Sequence, residues 1–234
     1  MKPVALLLLS SLALISCTES NQSRSAKIQA KAKSSGKETR LTISKRNRDV
    51  KVSRTAVIQG DGGLTVAAVE LKNSGAEQSN VPIIFDGYGS GSKSEYRNNE
   101  AGLQEALQRV GSIGASKTIW WVNDQIPVPS VKRIRAKVGP GKTGKSVPAV
   151  KVGKGTLVND PDGQFYVGTV QNKSKSKLTS VPLYAVGLSG QKVVAAGRAI
   201  IQSLGPSAKT NYRILLSGKP AGAQFSIYAA PKPI

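Results

Sequence analysis

Val69-Glu-Leu-Lys-Asn73-Ser-Gly75, followed by Val81-Pro82-Ile83, returns later in the chain as Gly168-Thr-Val-Gln-Asn172-Lys-Ser174, followed by Val181-Pro182-Leu183. In both stretches an extended run ends at an Asn and small polar residues, and a second run opens on Val-Pro. Downstream, Ser112-Ile-Gly114-Ala-Ser116-Lys-Thr118 matches Ser203-Leu-Gly205-Pro-Ser207-Ala-Lys-Thr210 if one insertion is allowed. Pro129 and Pro220 each precede a further strand. Asp61-Gly62-Gly63 stands before the first copy as Asp160-Pro-Asp162-Gly163 stands before the second. The offset is 99 residues at Asn73 and Asn172 but 91 at Gly114 and Gly205, so the first copy is longer in its middle. The extra residues fall in the Gly/Ser/Asn-rich excursion from Gly87 to Arg109. Self-similarity at a fixed distance means one structural unit used twice.

Each copy reads as short strands. Phe165 to Gln171 is β-branched and aromatic between two turn signals, and Val181 to Val186 alternates after a proline suited to a strand start. Gln191–Ala199 and Asn211–Leu216 follow, each bounded by Gly, Ser or Pro. Strands at about 8–12-residue spacing predict an all-β chain of two tandem immunoglobulin-like antiparallel sandwiches. We place them at 55–139 and 151–234, with a basic linker at 140–150. Asn99 to Val110 has two readings. Leu103, Ala106, Leu107 and Val110 share one helical face, whereas the repeat makes the end of this segment a strand like Arg198–Leu204.

The second copy resembles the bacterial FxLYD domain through Val170-Gln-Asn172-Lys-Ser, Val181-Pro-Leu-Tyr184, Gly190-Gln-Lys-Val-Val194 and Leu204-Gly-Pro206. The first, with Asn73-Ser-Gly75 and Ile113-Gly114, is similar to CARDB-type modules. The resemblance covers residues 55–234. It implies sandwiches of cell-envelope proteins with roles in adhesion, display or spacing and usually no catalysis. One departure is that Ala185-Val-Gly-Leu-Ser follows Tyr184, where an acidic residue is expected.

Composition narrows the chemistry. The 234 residues include 34 Lys and Arg against 13 Asp and Glu, no His and one Cys, for a net charge of +21. Without His there is no His-based acid/base catalysis, no Ser-His-Asp or Cys-His arrangement and no His-ligated zinc. A single Cys excludes intrachain disulfides and Cys-rich metal sites. Hydrophobic residues at 39% and aromatics at 5% are lean for a globular chain, yet too rich for complete disorder. We expect no catalytic residue, no metal and no cofactor.

The N-terminus carries an address. Met1-Lys2-Pro3 precedes an apolar run from Val4 to Ile15, interrupted by Ser10 and Ser11. That is an export signal, shorter than the roughly 20 apolar residues a membrane-spanning helix needs. Leu14-Ile15-Ser16-Cys17 resembles the lipobox of bacterial lipoproteins, which implies removal of residues 1–16 and diacylglycerol on Cys17. Two or more acyl chains anchor stably where one is marginal. The expected location is the envelope, at the outer face of the cytoplasmic membrane or at the outer membrane. Residues 17–54 hold eleven basic residues, from Arg24 to Arg54, and no aromatics, and read as a disordered basic tether.

Three motifs do not carry the chemistry they suggest. Gly139-Pro-Gly-Lys-Thr-Gly144-Lys145-Ser146 has phosphate-loop spacing, but Val147-Pro148-Ala-Val follows where a helix is required. Lys142-Thr143-Gly144 lacks the Ser-Asp-Asn element of penicillin-recognising enzymes. Asp160-Pro-Asp162-Gly163 would need Glu as the twelfth residue of a calcium loop, and Gln171 stands there.

Two features point to a partner. Trp120 and Trp121, adjacent in a strand, face opposite ways. The alignment with its insertion pairs Trp120 with Tyr212 and Trp121 with Arg213, which puts Trp120 in the core and Trp121 outside. Trp121 then either packs under a loop or against the second domain, or offers a ligand-stacking platform. An alternative to pure display is therefore a glycan or small-molecule site between the domains near Trp121. The inter-repeat stretch adds Lys132, Arg133, Arg135, Lys137, Lys142 and Lys145 with no acidic residue among them. With the tether, this forms zones suited to phosphate-bearing polyanions: anionic lipid headgroups, cell-wall glycopolymer, lipopolysaccharide or extracellular DNA.

Overall fold

A computed structural model describes residues 40–60 and 64–233. The signal segment, Cys17 and the tether as far as residue 39 lie outside the described residues. The first unit contains β1 (Val50–Gln59), β2 (Thr65–Asn73), β3 (Gln78–Tyr88), β4 (Ser94–Arg97), β5 (Arg109–Ile113), β6 (Thr118–Ile126) and β7 (Arg133–Val138). The second contains β8 (Val150–Val152), β9 (Thr156–Asp160), β10 (Gly163–Asn172), β11 (Leu178–Ser189), β12 (Lys192–Leu204), β13 (Lys209–Leu215), β14 (Ser217–Gly218) and β15 (Gln224–Ala229). The fold is all-β and immunoglobulin-like, with every pairing antiparallel.

In the first sandwich a back sheet, β1-β2-β6, faces a front sheet in which β3 pairs with β4, β5 and β7. The second repeats the plan: β13-β10-β8, with β9 on β10, faces β14-β12-β11-β15. The repeat is visible in individual atoms. Asn73 Nδ2 donates to Ala76 O (2.7 Å) and Gly114 O (2.9 Å), while its Oδ1 accepts from Gly75 N (3.0 Å). Asn172 does the same with Ser176 O (2.7 Å), Gly205 O (2.9 Å) and Ser174 N (2.8 Å). Each Asn thus pins two loops together with backbone groups that burial would otherwise leave unpaired. The turns that need a left-handed residue correspond too: Asn80 and Ser180 (φ 52° and 51°), Ser116 and Ser207 (both 55°).

Those turns correct the alignment. Ser116 and Ser207 are equivalent, and Lys72 faces Thr118 as Gln171 faces Lys209, so the offset of 91 continues without an insertion. The Lys-Thr pair shared by residues 117–118 and 209–210 is a coincidence of composition. A slip of one residue turns every side chain to the other face, and it had reversed the two tryptophans. Trp121, not Trp120, is the counterpart of Tyr212. It is 0% exposed, meets Phe85 edge-on at 6.1 Å and donates its indole N–H to Ala106 O at 2.9 Å.

Trp120 points out of the sandwich and is nonetheless buried, because the second sandwich covers it. The outward side of β1-β2-β6 (Ala56, Ile58, Val66, Ala68, Trp120, Val122) packs on the outward side of β11, β12 and β15 (Tyr184, Val186, Leu188, Ala196, Tyr228). Four sheets therefore stack as layers, with a continuous apolar seam between the second and third. A separate core of Tyr166, Leu183, Tyr212, Ile214 and their neighbours fills the second sandwich. Across the seam Arg198 Nε donates to Asp124 Oδ1 (3.0 Å), with the Arg198 side chain only 4% exposed. At the rim Arg54 covers Trp120 (5.0 Å to the ring), donates to Glu70 Oε2 (2.8 Å) and reaches Gln191 Oε1 (3.0 Å). That guanidinium holds the Glu70 carboxyl below the usual carboxylate range. The front sheet also touches the second sandwich at its β5 edge, where a Cβ on Gly111 would lie 2.1 Å from Ala230 O.

Two boundaries differ from the sequence reading. β1 starts at Val50, inside the stretch read as tether, and Asn47 is already fixed by Gly139 O (3.0 Å) and Gln78 Oε1 (2.7 Å). Val50, Val52, Thr55 and Val57 carry a strand pattern that the surrounding Lys and Arg disguise, since β1 is an outer strand where charge is tolerated. Asn99 to Val110 contains a single 3-10 turn, Glu105–Leu107, before β5. The strand reading holds at its end, and its face of apolar residues serves a turn rather than a helix.

Candidate functional site

β7 alternates outward Arg133, Arg135 and Lys137 with inward Ile134 and Val138, the period of two that a half-buried strand imposes. Pairing with β3 sets Arg133 opposite Tyr88, Arg135 opposite Asp86 and Lys137 opposite Ile84. On the other flank β4 sets Arg97 opposite Asp86. Arg97 grips that carboxylate with Nε and Nη2 (2.6 and 3.0 Å), which raises its own pKa further above the ordinary guanidinium value. Asp86 is thereby occupied. Among the described residues, Arg133, Arg135 and Lys137 make no ion pair.

Tyr88 organises the row. The Arg133 guanidinium lies 4.5 Å from the ring centroid and that of Arg135 lies 5.5 Å away, both within cation–π range. Arg133 Nη2 also donates to Gly91 O (2.8 Å), and Lys132 Nζ to Ser90 Oγ (3.3 Å), which ties the 89–93 loop to the row. Guanidinia oriented by stacking keep their remaining N–H groups directed at solvent, the arrangement that suits phosphate oxygens. Four of the six inter-repeat cations (Lys132, Arg133, Arg135, Lys137) thus come together. Lys142 and Lys145 are exposed on the crossover to the second sandwich, where Lys142 exchanges backbone hydrogen bonds with Ser79 (2.7 and 2.8 Å). Tyr88, Arg97 and Asp86 were missed by the sequence reading, because only the strand register places them in the row.

Trp121 cannot serve as the stacking platform considered for it, being wholly enclosed. A cleft of about 320 Å³ does open between the sandwiches, bordered by Gln104, Glu105, Arg109, Ser180, Gln202 and Lys232. Trp121 lies behind its wall, hydrogen-bonded to Ala106 O of the lining. An ion pair from Lys232 to Glu105 crosses it, and Gln104 Oε1 accepts from Arg198 (3.4 Å). Tyr184 lies buried in the adjoining seam, and its burial pushes the phenol above its ordinary pKa. At the calcium-like sequence, Asp160 pairs with Arg213 and accepts from Asp162 N (2.8 Å), a turn between β9 and β10. Its carboxyl is held below the usual range by Arg213. Residues 143–149 form no helix after the phosphate-loop-like stretch.

No family model and no curated protein matches the chain. Among solved structures, red sea bream transglutaminase is similar over 80% of this chain and 29% of its own length, at 13% identity and a TM-score of 0.22. That likeness says nothing of activity, so the identity that stands is structural: two stacked immunoglobulin-like sandwiches with a cationic outer sheet.

Proposed function

We propose that this is an exported lipoprotein, anchored through Cys17 to the bacterial cell envelope, whose paired sandwiches serve display, adhesion or spacing without catalysis. Its outer cationic sheet contacts phosphate-bearing polymers. The observation that carries the reading is the row of Arg133, Arg135 and Lys137 around Tyr88, exposed and without ion pairs among the described residues. Such contacts gain affinity by releasing condensed counterions and read no sequence.

The test is salt dependence. Binding to DNA or an anionic glycopolymer should weaken steeply between about 50 and 200 mM salt, with little base preference. In Arg133→Glu/Arg135→Glu the slope of log affinity against log salt should fall by about 1.4–1.8, the share of two phosphate contacts. Both changes lie on an outer face, so the unfolding midpoint should hardly move. An unaltered slope in a folded double variant would remove this sheet as the contact.

A further inference from the structure

The direction from which the chain arrives at the cationic sheet deepens this reading. Leu41 N donates to Asn99 O (3.1 Å) and Asn99 Nδ2 donates back to Leu41 O (3.3 Å), two residues beyond Arg97. Ile43 then lies over Gly139, its carbonyl accepting from the outward Lys137 Nζ (3.3 Å). Asn47 N finally reaches Val138 O (2.9 Å) at the end of β7. Residues 41–47 form a strap across the front sheet, from the β4 side to the β7 side. The segment leading from Cys17 therefore enters, at Arg40, beside the cationic row.

We infer that the outer face of this front sheet lies flat on an anionic phospholipid surface, the membrane that holds the chain's own anchor. The inference rests on the lipid-anchored reading. Its cations are Lys45 and Arg46 on the strap, Lys93 and Lys132 at the loop end, and Arg97, Arg133, Arg135 and Lys137 on the strands. The acids nearby are Asp86, held by Arg97, Glu95, hydrogen-bonded to Ser130, and the exposed Glu100. Cations are in excess, and each Lys or Arg near an anionic leaflet raises partitioning roughly fivefold at low salt. Tyr88 among arginines has the amphipathic character of side chains that settle at headgroup level.

The layering gives the orientation. The back sheet of the first sandwich is covered by the second sandwich, which also meets the front sheet at its β5 edge. The part of the front sheet that carries the row, β4-β3-β7, is therefore the end layer of the stack. Laid on the membrane, it directs the second sandwich away from the surface. The 23 residues from Cys17 to Arg40 span at most about 3.3–3.6 Å each, some 80 Å, and include Arg24, Lys27, Lys31, Lys33 and Lys37. An anchor on so short a lead makes docking of the sheet an intramolecular event at high effective concentration.

The test uses the lipidated protein in vesicles of phosphatidylcholine alone, or of phosphatidylcholine with phosphatidylglycerol, each containing a headgroup quencher. A fluorophore is placed through Ser92→Cys beside the row or through Lys175→Cys on an exposed loop of the second sandwich. With phosphatidylglycerol present, the Ser92 label should be quenched and the Lys175 label should stay bright. Neutral vesicles, or Arg133→Glu/Arg135→Glu, should abolish quenching at Ser92. Equal quenching at both sites, or no response to phosphatidylglycerol, would overturn the inference. A chain that fails to float with neutral vesicles would show instead that the anchor is missing. Binding of soluble polyanion without quenching at Ser92 would overturn membrane docking and leave the polymer reading standing.

Discussion

Trp121→Ala should unfold the first sandwich at a far lower denaturant concentration than the parent chain. Trp121 is 0% exposed, fills the space between the sheets against Phe85, and its indole N–H satisfies Ala106 O at 2.9 Å. Truncation removes its transfer energy and leaves a cavity, together about 3–5 kcal/mol. That is a large share of the 5–15 kcal/mol typical of a whole domain, roughly speaking. Trp120→Ala should cost less, because the seam between two sandwiches can close partly around the gap while the interior of one sandwich cannot. Urea unfolding followed by the fluorescence of the remaining tryptophan ranks the two. A larger loss in Trp120→Ala would return the register to the version with an insertion and undo the layer assignment.

The seam itself is most exposed to a change at Asp124. Asp124→Ala leaves the Arg198 guanidinium, 4% exposed in its side chain, without its carboxylate, and a charge stranded in this way costs about 3–5 kcal/mol. The lower end applies here, since the Asp124 side chain is 24% exposed and water can reach the site. Asp124→Leu combined with Arg198→Met should recover most of the loss, because an apolar pair of similar volume carries no desolvation penalty. Hydrogen exchange at Val122 and Tyr184, together with thermal unfolding, reads both variants. Unchanged exchange in Asp124→Ala would mean that the seam does not depend on the pair.

The sequence made the repeat legible because Asn73 and Asn172 must each pin two loops, and Ser116 and Ser207 stand at matching left-handed turns. Most strands followed from those turns. Side-chain direction did not, because a shared Lys-Thr dipeptide outweighed an ungapped alignment, and period two makes such a slip total. A signal for the seam was available. Thr65 to Val69 and Val181 to Gly187 are apolar or small without alternation, the mark of strands buried on both faces, and both are buried throughout. The cationic side of β7 could be read from its alternation. Its neutralised neighbour Asp86 could not, since only the pairing of β3 with β4 and β7 shows which cation takes it.

The measurement that bears most directly on the account is metabolic labelling with a fatty-acid analogue in a bacterium that exports the chain. Cys17 is the only cysteine and ends the apolar run, and both the envelope reading and the membrane-facing sheet depend on it. The parent chain should incorporate the label and sediment with membranes, since two or more acyl chains hold it there. Cys17→Ser should lose the label while keeping its fold. Equal labelling of both chains, or none of the parent, would contradict the account.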